Sequence, residues 1–205
     1  MIEFYTADTP NGHKGRIMLE EVGLDYNLHA VDLGKLEFLE PEFLKISPTR
    51  RVPVIQDPDG PDGGPVTVLE SGVIMTYLAD KVGSSLYPTD PARRRDVDQW
   101  ALHGQATFGP LLSQSSLFES RMKEDVPAAK AWYGEVGRRL YQTIDLHLAD
   151  NEYFSGDYSI ADIAHFTYAK RAKGQNIDLQ PYAHVRRWLD QVGARPAVQA
   201  GIQAL

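Results

Sequence analysis

Cysteine is absent from the 205 residues. No protein thiol can therefore act as a nucleophile, resolve a mixed disulfide or ligate zinc. Any sulfur chemistry has to come from a bound small molecule. Long apolar runs are also missing: no stretch reaches about eighteen residues, and Met1-Ile2-Glu3-Phe4 carries neither a basic nor an extended apolar segment. Neither a membrane span nor a secretory signal is expected, and the expectation is a soluble cytoplasmic protein. Positive charge is scarce, with 21 Lys and Arg against 28 Asp and Glu and a net charge of -7. Such a balance repels a phosphate backbone, and the Arg93-Arg94-Arg95 and Arg138-Arg139 clusters read as solvated helix faces, so nucleic acid is not an expected partner. The six histidines form no HExxH and no close pair in the sequence, and no metal site is predicted.

What is present is a regular alternation of short segments. Ile2 to Tyr5 reads as a strand, Asn11 to Val22 as a helix stopped by Gly23, Tyr26 to Val31 as a second strand, and Pro41 to Ile46 as a short helix. Val52 to Ile55 and Val66 to Leu69 are β-branched runs on either side of a Pro/Gly/Asp-rich stretch, which predicts an antiparallel hairpin. Ile74, Tyr77, Leu78 and Val82 then step along one helix face ended by Gly83. This order predicts a thioredoxin-like α+β domain over residues 1–83, with a mixed sheet of four strands. Residues 84–92 lack periodicity, hold Pro88 and Pro91, and read as a linker. Residues 93–205 read as an all-α domain. Val97, Trp100, Ala101, Gly104, Phe108, Leu111 and Leu112 paint one stripe, and Val136, Leu140, Ile144 and Leu148 another. Ser159-Ile160-Ala161-Asp162 fits a capping box, with Tyr158 and Ile163 placed as its hydrophobic staple. A last segment around Val185, Trp188, Leu189 and Val192 ends at Gly193, with Pro196 behind it.

Four segments carry a likeness to a known family. Thr9-Pro10-Asn11-Gly12-His13-Lys14, Ser47-Pro48 leading into Val52-Pro53-Val54-Ile55, Glu70-Ser71-Gly72-Val73-Ile74, and Gly156 through Asp162 resemble signature segments of the glutathione transferase superfamily. The first of them is similar to the nu-class, glutathione-dependent disulfide-bond reductase branch. The resemblance extends over nearly the whole chain. It implies the glutathione transferase fold, glutathione as co-substrate, a small electrophile or a disulfide as the second substrate, a role in detoxification, and a homodimer. Thr49-Arg50-Arg51 departs from the asparagine-rich loop of the nu-class pattern, and Trp132 stands where that pattern has an arginine that reaches glutathione.

Glutathione presents an extended backbone, two carboxylates, one ammonium and one thiol. The resemblance implies a cis Val52–Pro53 bond that leaves the Val52 amide and carbonyl to pair with the cysteinyl backbone, as in strand addition. Read from the residues alone, Pro53 is an ordinary trans proline at a strand start. The hydroxyl and amide of Ser71, at a helix N-terminus, suit the γ-glutamyl carboxylate, and Glu70 suits the ammonium. Locally the same two residues also read as a plain cap preceded by an acidic residue. Arg51 or Lys35 is the candidate for the glycyl carboxylate. A free thiol with a pKa of about 8.5 is mostly protonated at neutral pH. Asn11 and the amides of the first helix can donate to the thiolate, and Thr9 adds a hydroxyl. The resemblance makes Thr9 and Asn11 the residues beside the sulfur. The local alternative is a turn with Asn11 as the cap, and Tyr5 is a rival hydroxyl at the end of the first strand. Phe108, Leu112 and Phe118 either line an electrophile pocket or belong to the core. The function expected is that of a glutathione-dependent transferase or disulfide-bond reductase. The alternative is a non-enzymatic scaffold or ligandin of the same fold.

Overall fold

Residues 1–204 are described by a computed structural model. Ile2, Phe4 and Thr6 alternate with Glu3 and Tyr5, and this period of two makes β1 (Ile2–Thr6), with its even-numbered side chains buried. The chain continues through α1 (Pro10–Val22), β2 (Tyr26–Ala30), a single 3₁₀ turn at Glu37–Leu39 and α2 (Pro41–Ile46). Then come β3 (Val54–Asp57), β4 (Val66–Leu69) and α3 (Ser71–Val82). The sheet order is β2-β1-β3-β4. β1 lies parallel to β2 and antiparallel to β3, and β3 is antiparallel to β4, which gives the expected thioredoxin-like arrangement.

β3 begins two residues later than its apolar run suggests, because Pro53 has no N–H to give to a ladder. Val82 was expected on the buried face of α3 but is 43% exposed. Eight residues after Ile74 the helix has turned about 80° away from it, whereas Leu78 stays over the sheet, fully buried.

The chain separates into two compact units, one comprising Met1–Tyr87 together with the segment from Pro196, the other Pro88–Arg195. The second unit is helical: α4 (Pro91–His103), α5 (Gly109–Ser116), α6 (Pro127–Ala149), α7 (Ile160–Ala169) and α8 (Ala183–Gly193). π-helical turns at Gly104–Phe108 and Leu117–Arg121 flank α5, so the single stripe read from Val97 to Leu112 is shared between two helices. Phe108 and Leu112 have no exposed surface, and both belong to the core of this unit rather than to a pocket wall. Phe118 stacks on Tyr133, with ring centroids 5.4 Å apart. The capping box forms as predicted, with Ser159 and Asp162 bonded reciprocally, and Asp162 also accepts from the indole of Trp188 at 2.9 Å. His103 and His165 are distant in sequence, yet their ring nitrogens meet at 2.9 Å inside an aromatic cluster with Trp100 and Phe154.

Pro196, expected behind the last helix as a stop, instead opens α9 (Pro196–Gly201), which packs on α1 in the first unit. The approach is close enough that a Cβ at Gly201 would lie 2.7 Å from the backbone nitrogen of Ile17. Arg16 ties the same segment down by donating to the Gln203 carbonyl at 2.9 Å.

Candidate functional site

The strand register assembles the candidate residues. Tyr5 pairs with Val54, and Val54 with Leu69, so the exit of β1, the entry of β3 and the exit of β4 share one end of the sheet. One step beyond that row stand the loop into α1 with Thr9 and Asn11, the Val52–Pro53 pair, and Glu70–Ser71. The parallel pairing of Thr6 with Ala30 brings the loop after β2, with Lys35, to the same end.

At the start of α1, Thr9 is the N-cap, and its Oγ1 accepts from the Gly12 amide at 3.0 Å. The local reading of Asn11 as the cap is thereby corrected. Asn11 sits one turn position inside the helix, and Pro10 before it has no N–H, while the Gly12 and His13 amides are held by Thr9. Of the first-turn backbone donors of α1 this leaves the Asn11 amide, and the Asn11 side chain carries a further NH₂. Gly12 is required by the packing, since a Cβ there would fall 2.2 Å from the Ala7 carbonyl oxygen and 2.5 Å from Thr6 Oγ1. Lys14 follows on the same helix, with no exposed surface at all, and burial pushes its ammonium down to about 7.

The Val52–Pro53 bond is cis. Among the described residues no hydrogen bond involves the backbone amide or carbonyl of Val52. The loop that delivers Val52 is held by the buried Ser47, whose Oγ donates to the Arg51 carbonyl at 2.8 Å and accepts from the Arg51 amide at 3.2 Å. Arg50 takes φ of 56° in this turn, and the Arg51 side chain is exposed. Sequence reading singled out Ser47–Pro48 as part of a motif but did not assign Ser47 this pinning role. A small hydroxyl residue followed by Pro after a helix was the signal available.

At the third position Glu70 precedes α3 with φ 65° and ψ 123°, and its side chain makes no cap bond. This left-handed backbone is unusual for a residue with a side chain. The plain-cap reading put the cap at Ser71 with an acidic residue before it, whereas Glu70 itself holds the N-cap position without a side-chain bond and Ser71 is the first helical residue. Ser71, 5% exposed, is the first residue of α3 and stands at its positive N-terminal end.

Two further sequence candidates, Tyr5 and Lys35, are already engaged with other side chains. The Tyr5 hydroxyl donates to Gln56 Oε1 at 3.3 Å and its ring stacks on His29, on the sheet face opposite Phe4 and Thr6. Burial, helped by the Glu3 charge, holds its pKa above the usual tyrosine value. The Tyr5 hydroxyl is thus engaged with Gln56 on the polar face of the sheet. Lys35 Nζ lies 3.3 Å from Asp32 Oδ2, so the Lys35 charge is already partly answered.

The arrangement offers a bare backbone pair, a helix N-terminus suited to an anion, a carboxylate beside it and the donors of Asn11. The comparisons with known proteins point the same way. A family model described as "Glutathione S-transferase, N-terminal domain" matches residues 9–81. The disulfide-bond oxidoreductase YfcG of Escherichia coli (strain K12) is 40% identical over 200 residues, spanning 96% of this chain and 92% of the relative. A glutathione transferase from Pseudomonas putida, crystallised with one glutathione disulfide bound per subunit, superposes with a TM-score of 0.94 at 35% identity, covering 98% of this chain and 90% of that one. A glutathione transferase family member from Pseudomonas fluorescens pf-5, with two glutathione bound, gives 0.93 at 35% identity, covering 98% and 92%. With identity of this level running along nearly the full length of both chains, this protein belongs to the glutathione transferase family.

Proposed function

We propose that the chain is a glutathione-dependent disulfide-bond reductase that positions and ionises the thiol of bound glutathione. The γ-glutamyl carboxylate docks on Ser71 with its ammonium at Glu70, the cysteinyl backbone pairs with Val52 beside Pro53, and the sulfur faces Asn11 and Thr9. Arg51 takes the glycyl carboxylate. Adjacent strands lie about 4.8 Å apart. The γ-glutamyl and cysteinyl units of an extended tripeptide are spaced on that scale, so one molecule bridges the exit of β4 and the entry of β3.

The observation that carries this reading is the donor set on Asn11 in a protein without a single cysteine. Every sulfur in the exchange then belongs to glutathione or to the substrate. The bound thiolate attacks one sulfur of a disulfide RSSR′, a GS–SR bond forms, the S–S bond breaks, and R′S⁻ leaves and takes up a proton. A second glutathione thiolate attacks the glutathione sulfur of GS–SR and expels RS⁻. Two glutathiones are oxidised to one glutathione disulfide as one disulfide is reduced to two thiols. The disulfide-bond oxidoreductase relative and the neighbours holding glutathione disulfide or two glutathiones support this sequence of steps.

Attack of the same thiolate on a small electrophile is the second reading, supported by the transferase names of the structural neighbours. In either case we place the protein in the cytoplasm as a homodimer acting in detoxification. Among the described residues no helix is long and apolar enough to cross a membrane. The test is retention on immobilised glutathione together with turnover of a model disulfide and of a chloronitrobenzene. Retention with disulfide turnover is expected. Retention with chloronitrobenzene turnover alone moves the assignment to a transferase, and neither retention nor turnover assigns a non-enzymatic scaffold.

A further inference from the structure

Helices that begin at a fixed angle to the preceding strand commonly use a contact between the residue before the N-cap and the fourth helical residue, and that contact is ordinarily apolar. In α1, with Thr9 as the N-cap, those two positions are Asp8 and His13. His13 Nε2 lies 2.9 Å from Asp8 Oδ1. The His13 side chain is 6% exposed and that of Asp8 58%, so a buried ring anchors a carboxylate at the surface. Between them stand Thr9, whose amide donates to Ala7 O at 2.7 Å and whose carbonyl accepts from His13 N at 2.9 Å, then Pro10, Asn11 and Gly12.

We infer that Asp8 and His13 are positioning residues, a polar staple that sets the entry angle of α1 and thereby aims the Asn11 donors and the Thr9 hydroxyl at the glutathione sulfur. The inference rests on the placement of the sulfur at Asn11. The segment Asp8-Thr9-Pro10-Asn11-Gly12-His13 is closed between its end side chains by the Asp8–His13 contact, in addition to the backbone bonds and the Thr9 cap within it. Without it the loop is tied by backbone bonds and the Thr9 cap alone, and its direction relaxes. The pairing also has an electrostatic side. A carboxylate next to the helix N-terminus competes with an anionic sulfur for the same positive end. An imidazole nitrogen 2.9 Å from the Asp8 carboxylate holds that carboxylate toward His13 and leaves the helix end to the ligand.

Three observations on the whole chain test this. The first is the pKa of bound glutathione, read from thiolate absorbance near 240 nm, for wild type, Asp8→Ala, His13→Leu, the double variant and His13→Gln. The second is binding of S-hexylglutathione, which has no thiol to ionise. The third is amide exchange of residues 7–15 in the unliganded protein. Each single variant is expected to lower disulfide turnover about fivefold and to raise the thiol pKa. S-hexylglutathione affinity should stay within about twofold. The double variant should lose no more than either single, because the two side chains act through one another. Gln, which can still donate to Asp8, should restore most of the loss, and exchange at residues 7–15 should quicken only where the link is broken. Additive losses, equal loss in His13→Leu and His13→Gln, or an unmoved thiol pKa would overturn the staple. A wild type that binds no glutathione while exchange still responds to both substitutions would instead remove the sulfur placement and keep the staple.

Discussion

At the residue scale the account concentrates on Asn11, because Pro10 removes one donor from the helix end and Thr9 consumes two others. A hydrogen bond to a charged group contributes about 1.5–3 kcal/mol, or about 1 to 2 units of pKa. Asn11→Ala should therefore raise the pKa of bound glutathione by that amount and lower turnover at neutral pH about tenfold or more, with S-hexylglutathione affinity nearly unchanged. Unaltered turnover would remove Asn11 from the chemistry. Lys14 has a different signature. Unfolded, it holds its proton until pH reaches about 10.4, whereas in the fold burial brings it to about 7. Between those values the folded chain binds fewer protons, so stability rises with pH across that window, and the full penalty is present below about pH 7. Lys14→Met should raise the urea midpoint at pH 6 by the equivalent of at least about 1 kcal/mol and flatten the rise toward pH 9. Residue types with a motif around them, such as Asn11, Val52 and Ser71, were legible in the sequence. The burial of Lys14, the pinning by Ser47 and the Asp8–His13 contact were not, since each depends on what three-dimensional packing places opposite a side chain that reads as ordinary surface or loop.

At the element scale, the strands and helices of the first 83 residues follow from period and punctuation, and their bounds move by only a few residues. The antiparallel hairpin was legible from two β-branched runs around a Pro/Gly/Asp stretch, and the capping box at Ser159 from its spacing alone. What the pattern could not carry was interruption and return. The π-helical turns around α5 shift the helical phase, and Gly109-Pro110, which opens α5, was the signal available, although Val97 through Leu112 keep an apolar spacing that reads as one stripe. Pro196 is equally suited to ending a helix or beginning one, and only the packing of α9 on α1 decides between them. Gly201→Ala measures that packing. Its Cβ would press on the Ile17 backbone, so the chain should lose about 1–3 kcal/mol by urea denaturation, with amide exchange quickening in α1 and not in α6 or α7. Equal stability would mean that α9 does not buttress the helix carrying the site.

At the scale of the whole molecule, a chain with no cysteine and a net charge of -7 has to borrow any thiol it uses and has little attraction for polyanions. Its fold answers the first requirement by bringing three chain segments to one end of a single sheet: a helix end rich in donors, a bare backbone pair and a second helix end suited to a carboxylate. None of the three is specific alone, and the proposed placement of the tripeptide rests on their register on adjacent strands. That register is the central claim, and a diffraction structure of the protein crystallised with glutathione tests it most directly. The account predicts density for one tripeptide with its γ-glutamyl carboxylate within hydrogen-bonding distance of Ser71, its cysteinyl backbone paired to Val52, and its sulfur facing Asn11. A tripeptide lying elsewhere, or one whose sulfur faces the Tyr5 side of the sheet, would contradict it.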